Sequence, residues 1–191
     1  MPKENYNSPT PLYIPTRKFI LGKVNRFINS GNVLELGVST GEILLQIKNE
    51  EKLGIDFDEE RLGRATESGI KTIKHDLNYG IPLENESFSN ILCIETLEHM
   101  ARYKKVLEES YRVLKSGGVF LVVVPYHGMI KNVLLSLFNI KHFQEEAHCH
   151  FFVPKLLKRD LESIGFKILD IDKFGRFPYL WRVFSIVCQK P

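Results

Sequence analysis

The chain has 191 residues, of which 43% are hydrophobic and 26% charged, and its formal net charge is +3 at pH 7. That size suits a single domain over residues 1–191 built on one real core, and the mild positive balance does not argue for a nucleic-acid partner. Cys93, Cys149 and Cys188 are odd in number and widely spaced, which argues against a disulfide framework and for a reducing, cytoplasmic setting, while no apolar run nears the roughly 20 residues needed to span a membrane.

Met1 to Pro15 is polar and contains prolines, lacking the apolar centre of a secretory signal. Thr16 is the expected cap of a helix that carries Phe19, Ile20, Val24, Phe27 and Ile28 on one face and ends near Ser30-Gly31, so residues 1–30 read as an N-terminal cap segment. Next comes the most informative stretch, Val33-Leu34-Glu35-Leu36-Gly37-Val38-Ser39-Thr40-Gly41. A short apolar run carrying one acid opens into a glycine-containing turn, the way a buried strand hands over to a nucleotide-binding loop. Gly37 permits positive φ there, and Gly41 permits the next helix to pack close to the strand; an ordinary turn between strand and helix reads the same way.

A second apolar segment, Lys52-Leu53-Gly54-Ile55-Asp56, ends in a carboxylate about 20 residues later, the distance at which α/β nucleotide folds set an acid against ribose hydroxyls. Asp58 is the better cap for the next helix. Along the rest of the chain, strands are expected near 33–37, 52–56, 71–74, 90–95 and 119–124, with crossover helices over Gly41–Lys48, Glu59–Ser68 and Arg102–Leu114. Strands alternating with helices imply a parallel, doubly wound sheet. After Pro154, a helix with Leu156, Leu157, Leu161 and Ile164 ends at Gly165, and strand-like Lys167–Ile171 and Arg182–Val187 close the pattern. Cys93 and Cys188 lie inside apolar runs and read as core.

In order, Glu35 to Gly41, Gly54-Ile55-Asp56, His75-Asp76-Leu77, Ile94 to His99, and Arg112 to Gly118 running into Val119 to Pro125 resemble the motifs of the class I S-adenosylmethionine-dependent methyltransferases. The resemblance covers nearly the whole chain. Two positions depart from it: Ser39 stands where glycine is common, and Ser116 where proline is usual. The resemblance implies a Rossmann-like, doubly wound α/β sheet of seven strands, mostly parallel with an antiparallel last strand and helices on both faces. It implies S-adenosylmethionine as cofactor. Glu35 would then orient the methionine amino group, the turn through Gly37, Ser39 and Gly41 would pass beneath the methionine portion, and Asp56 would accept from the ribose hydroxyls. Phe57 or Leu77 would pack on adenine, with Asp76 accepting from its exocyclic amine unless Asp76 is simply a turn residue; Glu95 would stand beside the cofactor at the fourth strand's end.

Methyl transfer from a sulfonium is an in-line displacement, so the protein has to hold acceptor and methyl group together and remove any proton the acceptor carries. His99 and His127 are the catalytic candidates for that proton, with Glu95, Glu98 and Tyr126 nearby; either histidine can equally serve a structural role. Residues 126–152 read as a substrate-side cover, with an apolar run Val133 to Phe138 leading to His142, His148 and His150, and His150-Phe151-Phe152 before Pro154 resembles a stretch of bacterial small-molecule and lipid-pathway methyltransferases. The leading reading is metal-independent methylation of an oxygen on a small molecule or a glycan or lipid intermediate. Two alternatives stay open. Glu95-Thr96-Leu97-Glu98-His99 has the Glu-x-x-Glu-His spacing of metal-assisted 2′-O-methyltransferases acting on RNA, with His148 or His150 to complete a metal shell, and a noncatalytic cofactor-binding protein would carry the same motifs.

Overall fold

The computed structural model describes residues 12, 14–49, 51–126, 149–175 and 181–191. Strands β1 (Val33–Leu36), β2 (Lys52–Asp56), β3 (Lys71–Lys74), β4 (Phe88–Ile94), β5 (Leu114–Pro125), β6 (Lys167–Gly175) and β7 (Trp181–Gln189) form one sheet in the order β3-β2-β1-β4-β5-β7-β6. Neighbours from β3 to β5 are parallel, and β7 runs antiparallel to both β5 and β6. The strand order reverses between β1 and β4, so a crevice opens beyond their carboxyl ends, where open α/β sheets take ligands.

The sheet is covered on both faces. Along β5, Phe120, Val122 and Val124 enter one apolar cluster with residues of α3 (Tyr103–Val113) and α4 (Pro154–Ile164), while Val119, Leu121 and Val123 enter the other with residues of α1 (Ile14–Phe27) and α2 (Glu59–Glu67). This period of two is what a strand buried on both faces requires. Asp58 caps α2, its carboxylate accepting from the N–H groups of Glu60 at 3.0 Å and Arg61 at 3.1 Å. Cys93 and Cys188 are fully buried, as their apolar neighbours predict.

Three expectations need correction. Thr16 is not a cap: α1 starts at Ile14, and Thr16 lies fully buried in its first turn, because the helix presses that face onto the sheet. The expected helix over Gly41–Lys48 is reduced to a 3₁₀ turn over Leu44–Gln46. Ile47 turns extended (ψ 137°), its carbonyl accepts from Lys52 Nζ at 3.2 Å, and Asn49 Nδ2 donates to the carbonyls of Asn29 and Gly31, which pulls the chain straight toward β2. Finally, β5 begins at Leu114 instead of Val119. Leu114 pairs with Phe88 and pairing resumes at Val119 with Asn90, so the expected turn through Ser116-Gly117-Gly118 is an irregularity inside the strand.

Candidate active site

At the switch point lies a cleft of about 240 Å³ lined by the exits of β1, β2 and β4. At the β1 exit, Gly37 takes φ +72° while its N–H donates to the Ile55 carbonyl at 2.8 Å. A Cβ at Gly37 would stand 2.2 Å from Thr96 Oγ1, so glycine is what lets the β1 and β4 exits meet. Ser39 also lies in the left-handed region, at φ +50°, and its N–H donates to Asp56 Oδ2 at 2.8 Å. The other Asp56 oxygen accepts from the Asp58 N–H at 3.0 Å. Asp56 is thus buried, and its carboxylate is aimed by two backbone donors at the end of β2.

Glu35 is 4% exposed and lines the same cleft, and its Oε2 has no hydrogen-bond partner among the described residues. Burial pushes its carboxyl up to about 8; the Leu44 N–H opposes that shift, and the nearby Asp56 charge adds to it. A buried carboxyl with an unmatched oxygen in the wall of a cleft is suited to a cationic or hydrogen-bond-donating ligand.

Phe57 stands on the rim, 59% exposed, and Leu77 is buried in the wall. Asp76 combines both of its expected placements: it lines the cleft, and its Oδ1 caps the turn Leu77–Tyr79 by accepting from the Asn78 N–H and Nδ2, each at 2.9 Å. Glu95 lines the cleft at φ +45°, held there by its N–H on the Val123 carbonyl at 2.8 Å; such a strained position costs of order 1–3 kcal/mol and clusters at functional sites. His99 lines the cleft one turn later.

Gly41 is not among the lining residues. Its Cβ position meets Ile70 Cδ1 at 2.2 Å, so it backs the loop against the connection after α2 and does not touch the cavity. Tyr126 also turns elsewhere, its ring edge-on to Trp181 at 5.3 Å. His127, His142, His148 and most of the 126–152 cover lie outside the described residues, as do residues 1–11 of the N-terminal segment. Among the described residues no three His, Cys, Asp or Glu side chains converge as a metal site, so Glu95, Glu98 and His99 do not form one there with His150. Thr96, Arg61 and Met100 line the cleft without having been anticipated. Thr96 was discoverable only through its contact with Gly37 across two strands, which no spacing in the sequence encodes.

Residues 34–122 match the family described as a methyltransferase domain. An uncharacterised protein of Methanocaldococcus jannaschii, MJ1123, is 29% identical over 145 residues, covering 75% of this chain and 68% of that protein. A probable S-adenosylmethionine-dependent methyltransferase of Mycolicibacterium smegmatis is 28% identical over 98 residues, covering 49% of this chain and 38% of that protein. The chain thus spans 38% to 68% of the length of these two relatives. The fold matches that of a Thermotoga maritima SAM-dependent methyltransferase, described as a possible histamine N-methyltransferase, with a TM-score of 0.76 and 21% identity over 92% of this chain and 89% of that one. Residues 34–122 thus carry a methyltransferase domain, and the fold is that of S-adenosylmethionine-dependent methyltransferases of known structure. The cofactor of these methyltransferases is S-adenosylmethionine. In this methyltransferase the cleft lies where the fold's ligands bind, at the β1/β4 reversal.

Proposed function

We propose that this methyltransferase moves the methyl group of S-adenosylmethionine onto an oxygen of a small molecule or of a glycan or lipid intermediate. The observation that carries the cofactor part of this reading is Glu35, a buried carboxyl in the cleft wall whose Oε2 has no partner among the described residues, because the methionine ammonium of the cofactor would supply charge and donors to it. The cofactor's chemical contribution is an electrophilic methyl group on a sulfonium.

The remaining roles belong to the chain. The turn from Gly37 to Ser39, kept free of side chain at Gly37, runs beneath the methionine portion, and Asp56, already aimed by two backbone donors, accepts from the ribose hydroxyls. Phe57 and Leu77 flank the adenine, the Asp76 carboxylate accepts from its amine, and Glu95 borders the methionine end. His99, at the β4 exit, takes the proton from the acceptor hydroxyl, with His127 as the other candidate for that step. Such a base contributes roughly 100- to 10,000-fold to turnover.

Titration calorimetry with S-adenosylhomocysteine tests the cofactor roles. Binding is expected in the wild type, with Asp56→Ala weakening it by about 1–3 kcal/mol through lost hydrogen bonds, and NAD should not compete. For the acceptor, incubation with S-adenosylmethionine and panels of hydroxyl and amine compounds, read by mass spectrometry, should yield methyl ethers or esters. Products methylated only on nitrogen would overturn the oxygen assignment.

A further inference from the structure

The short segment at the end of the cover, Cys149 to Phe152, makes a set of contacts for which the cleft itself has no need. The N–H groups of Cys149 and His150 both donate to the Glu98 carbonyl, at 2.8 and 3.2 Å. Cys149 Sγ reaches the His99 carbonyl at 3.7 Å, and His150 Nε2 lies 3.4 Å from the Ala101 carbonyl. A carbonyl can only accept, so Nε2 is the protonated nitrogen of that ring. Three carbonyls of the stretch 98–101 are therefore taken by two consecutive residues more than 45 positions further along the chain.

The His150 ring is itself braced. It packs edge-on to Tyr103 at 4.6 Å, Tyr103 packs on Phe152 at 5.2 Å, and the Tyr103 hydroxyl donates to Asp160 Oδ2 at 2.9 Å on α4. Asp160 is buried, so the anchor is fixed in the packing of α4 on α3. From the other side, Asn78 Oδ1 accepts from the Arg102 N–H at 3.1 Å. The turn bearing His99 is thus clamped between the wall of the cofactor cleft and the end of the cover.

We propose that His150 is a positioning residue for His99. Through its Nε2 on Ala101 and its N–H on Glu98 it fixes the backbone around His99, and with it the direction in which the imidazole leaves that backbone toward the acceptor side of the cleft. The inference rests on the reading of His99 as the acceptor-side residue, but the placement of the ring is measurable by itself.

The test compares three variants of the full chain labelled with ¹³C at histidine: His150→Gln, whose amide can still donate; His150→Phe, which keeps ring packing on Tyr103 without a donor; and His150→Ala. The His99 ring resonance is assigned by its loss in His99→Asn. His150→Phe and His150→Ala should displace the His99 Cε1–H resonance by more than a linewidth, whereas His150→Gln should leave it near the wild-type position. S-adenosylhomocysteine affinity should stay within threefold throughout. An unmoved His99 resonance in His150→Phe overturns the proposal, as does a displacement in His150→Gln equal to that in His150→Phe, since either result removes the Nε2 donor from the account. Failure of the wild type to bind S-adenosylhomocysteine would instead strike the functional reading and leave the ring comparison intact. Should His150→Ala fail to fold, the Phe and Gln pair still decides.

Discussion

At the scale of single residues, Glu35 links the cleft to pH. Folding raises its carboxyl from an ordinary 4.5 to about 8, so between those values the unfolded chain has lost a proton that the folded chain keeps. Stability therefore falls as pH rises through that window and levels off above it, each unit of pH contributing up to about 1.4 kcal/mol. Replacing the group by its neutral isostere, Glu35→Gln, should flatten this slope. Denaturant unfolding of both proteins at pH 5 and pH 8 measures it, and equal slopes would show that the carboxyl is relieved in some other way. A bound ammonium favours the carboxylate, so S-adenosylhomocysteine binding at neutral pH should release a proton, seen as a calorimetric enthalpy that varies with buffer ionisation in the wild type but not in Glu35→Gln.

Gly37 and Ser39 share a left-handed backbone but differ in what surrounds them. Gly37→Ala combines positive φ with a Cβ 2.2 Å from Thr96 Oγ1, and a loss of more than about 2 kcal/mol is expected. Adding Thr96→Ala should recover part of it, because the clashing hydroxyl and methyl are gone; strict additivity in the double-mutant cycle would contradict the contact. Ser39→Gly should instead gain about 0.5–1 kcal/mol, since the φ of +50° costs an L-residue and not glycine. Chemical denaturation reads both.

At the scale of elements, a lysine of α1 ties that helix to the far edge of the sheet, beside the stacking of Phe19 on Phe174. Lys23 Nζ lies 2.7 Å from Asp170 and 2.8 Å from Asp172 on β6, and its side chain is 9% exposed. Burial alone would lower the Lys23 pKa, but the hydrogen bonds and charges of the two aspartates outweigh it and hold the ammonium above its ordinary value. Lys23→Met should cost about 1–3 kcal/mol by leaving the partly buried Asp170 without this cation. Asp172→Asn, at a side chain 52% exposed, should cost under about 1 kcal/mol. Thermal unfolding of the two variants separates these expectations, and an equal loss in both would remove the distinction between the aspartates.

Elements whose limits are set by neighbouring residues in the chain were legible before the structure. β1 and β2 read as strands because continuous apolar runs end in Gly37 and Asp56, and α2 because Asp58 stands at its start. The stretch Gly41 to Lys48 misled because Ile43, Leu44 and Ile47 suit one face of a helix, while the ties that straighten it come from Asn49 and Lys52 reaching back to it and to Gly31. The same division holds in the cleft. Glu35 and Asp56 sit beside their own turns, and their place in the cleft wall was legible, whereas Thr96 and the clasp from Cys149 and His150 depend on segments that meet only when the sheet is assembled.

At the scale of the whole molecule, the position of β7 has a consequence for biosynthesis. β7 lies between β5 and β6, and among the described residues β6 pairs with no other strand, so the preceding hairpin arm has nothing to dock on until Trp181 to Gln189 has been made. Until then β5, with its apolar residues from Val119 to Val124, offers an open row of backbone donors and acceptors to any passing strand. A polypeptide stopped after Gly175 should accordingly enter the insoluble fraction on expression and enhance thioflavin fluorescence, and a synthetic peptide spanning Trp181 to Gln189, supplied during refolding, should return part of it to solution by filling the gap. A soluble, monomeric truncation would mean that the nascent sheet can shield β5 without its antiparallel partner, and that quality control during translation need not wait for it.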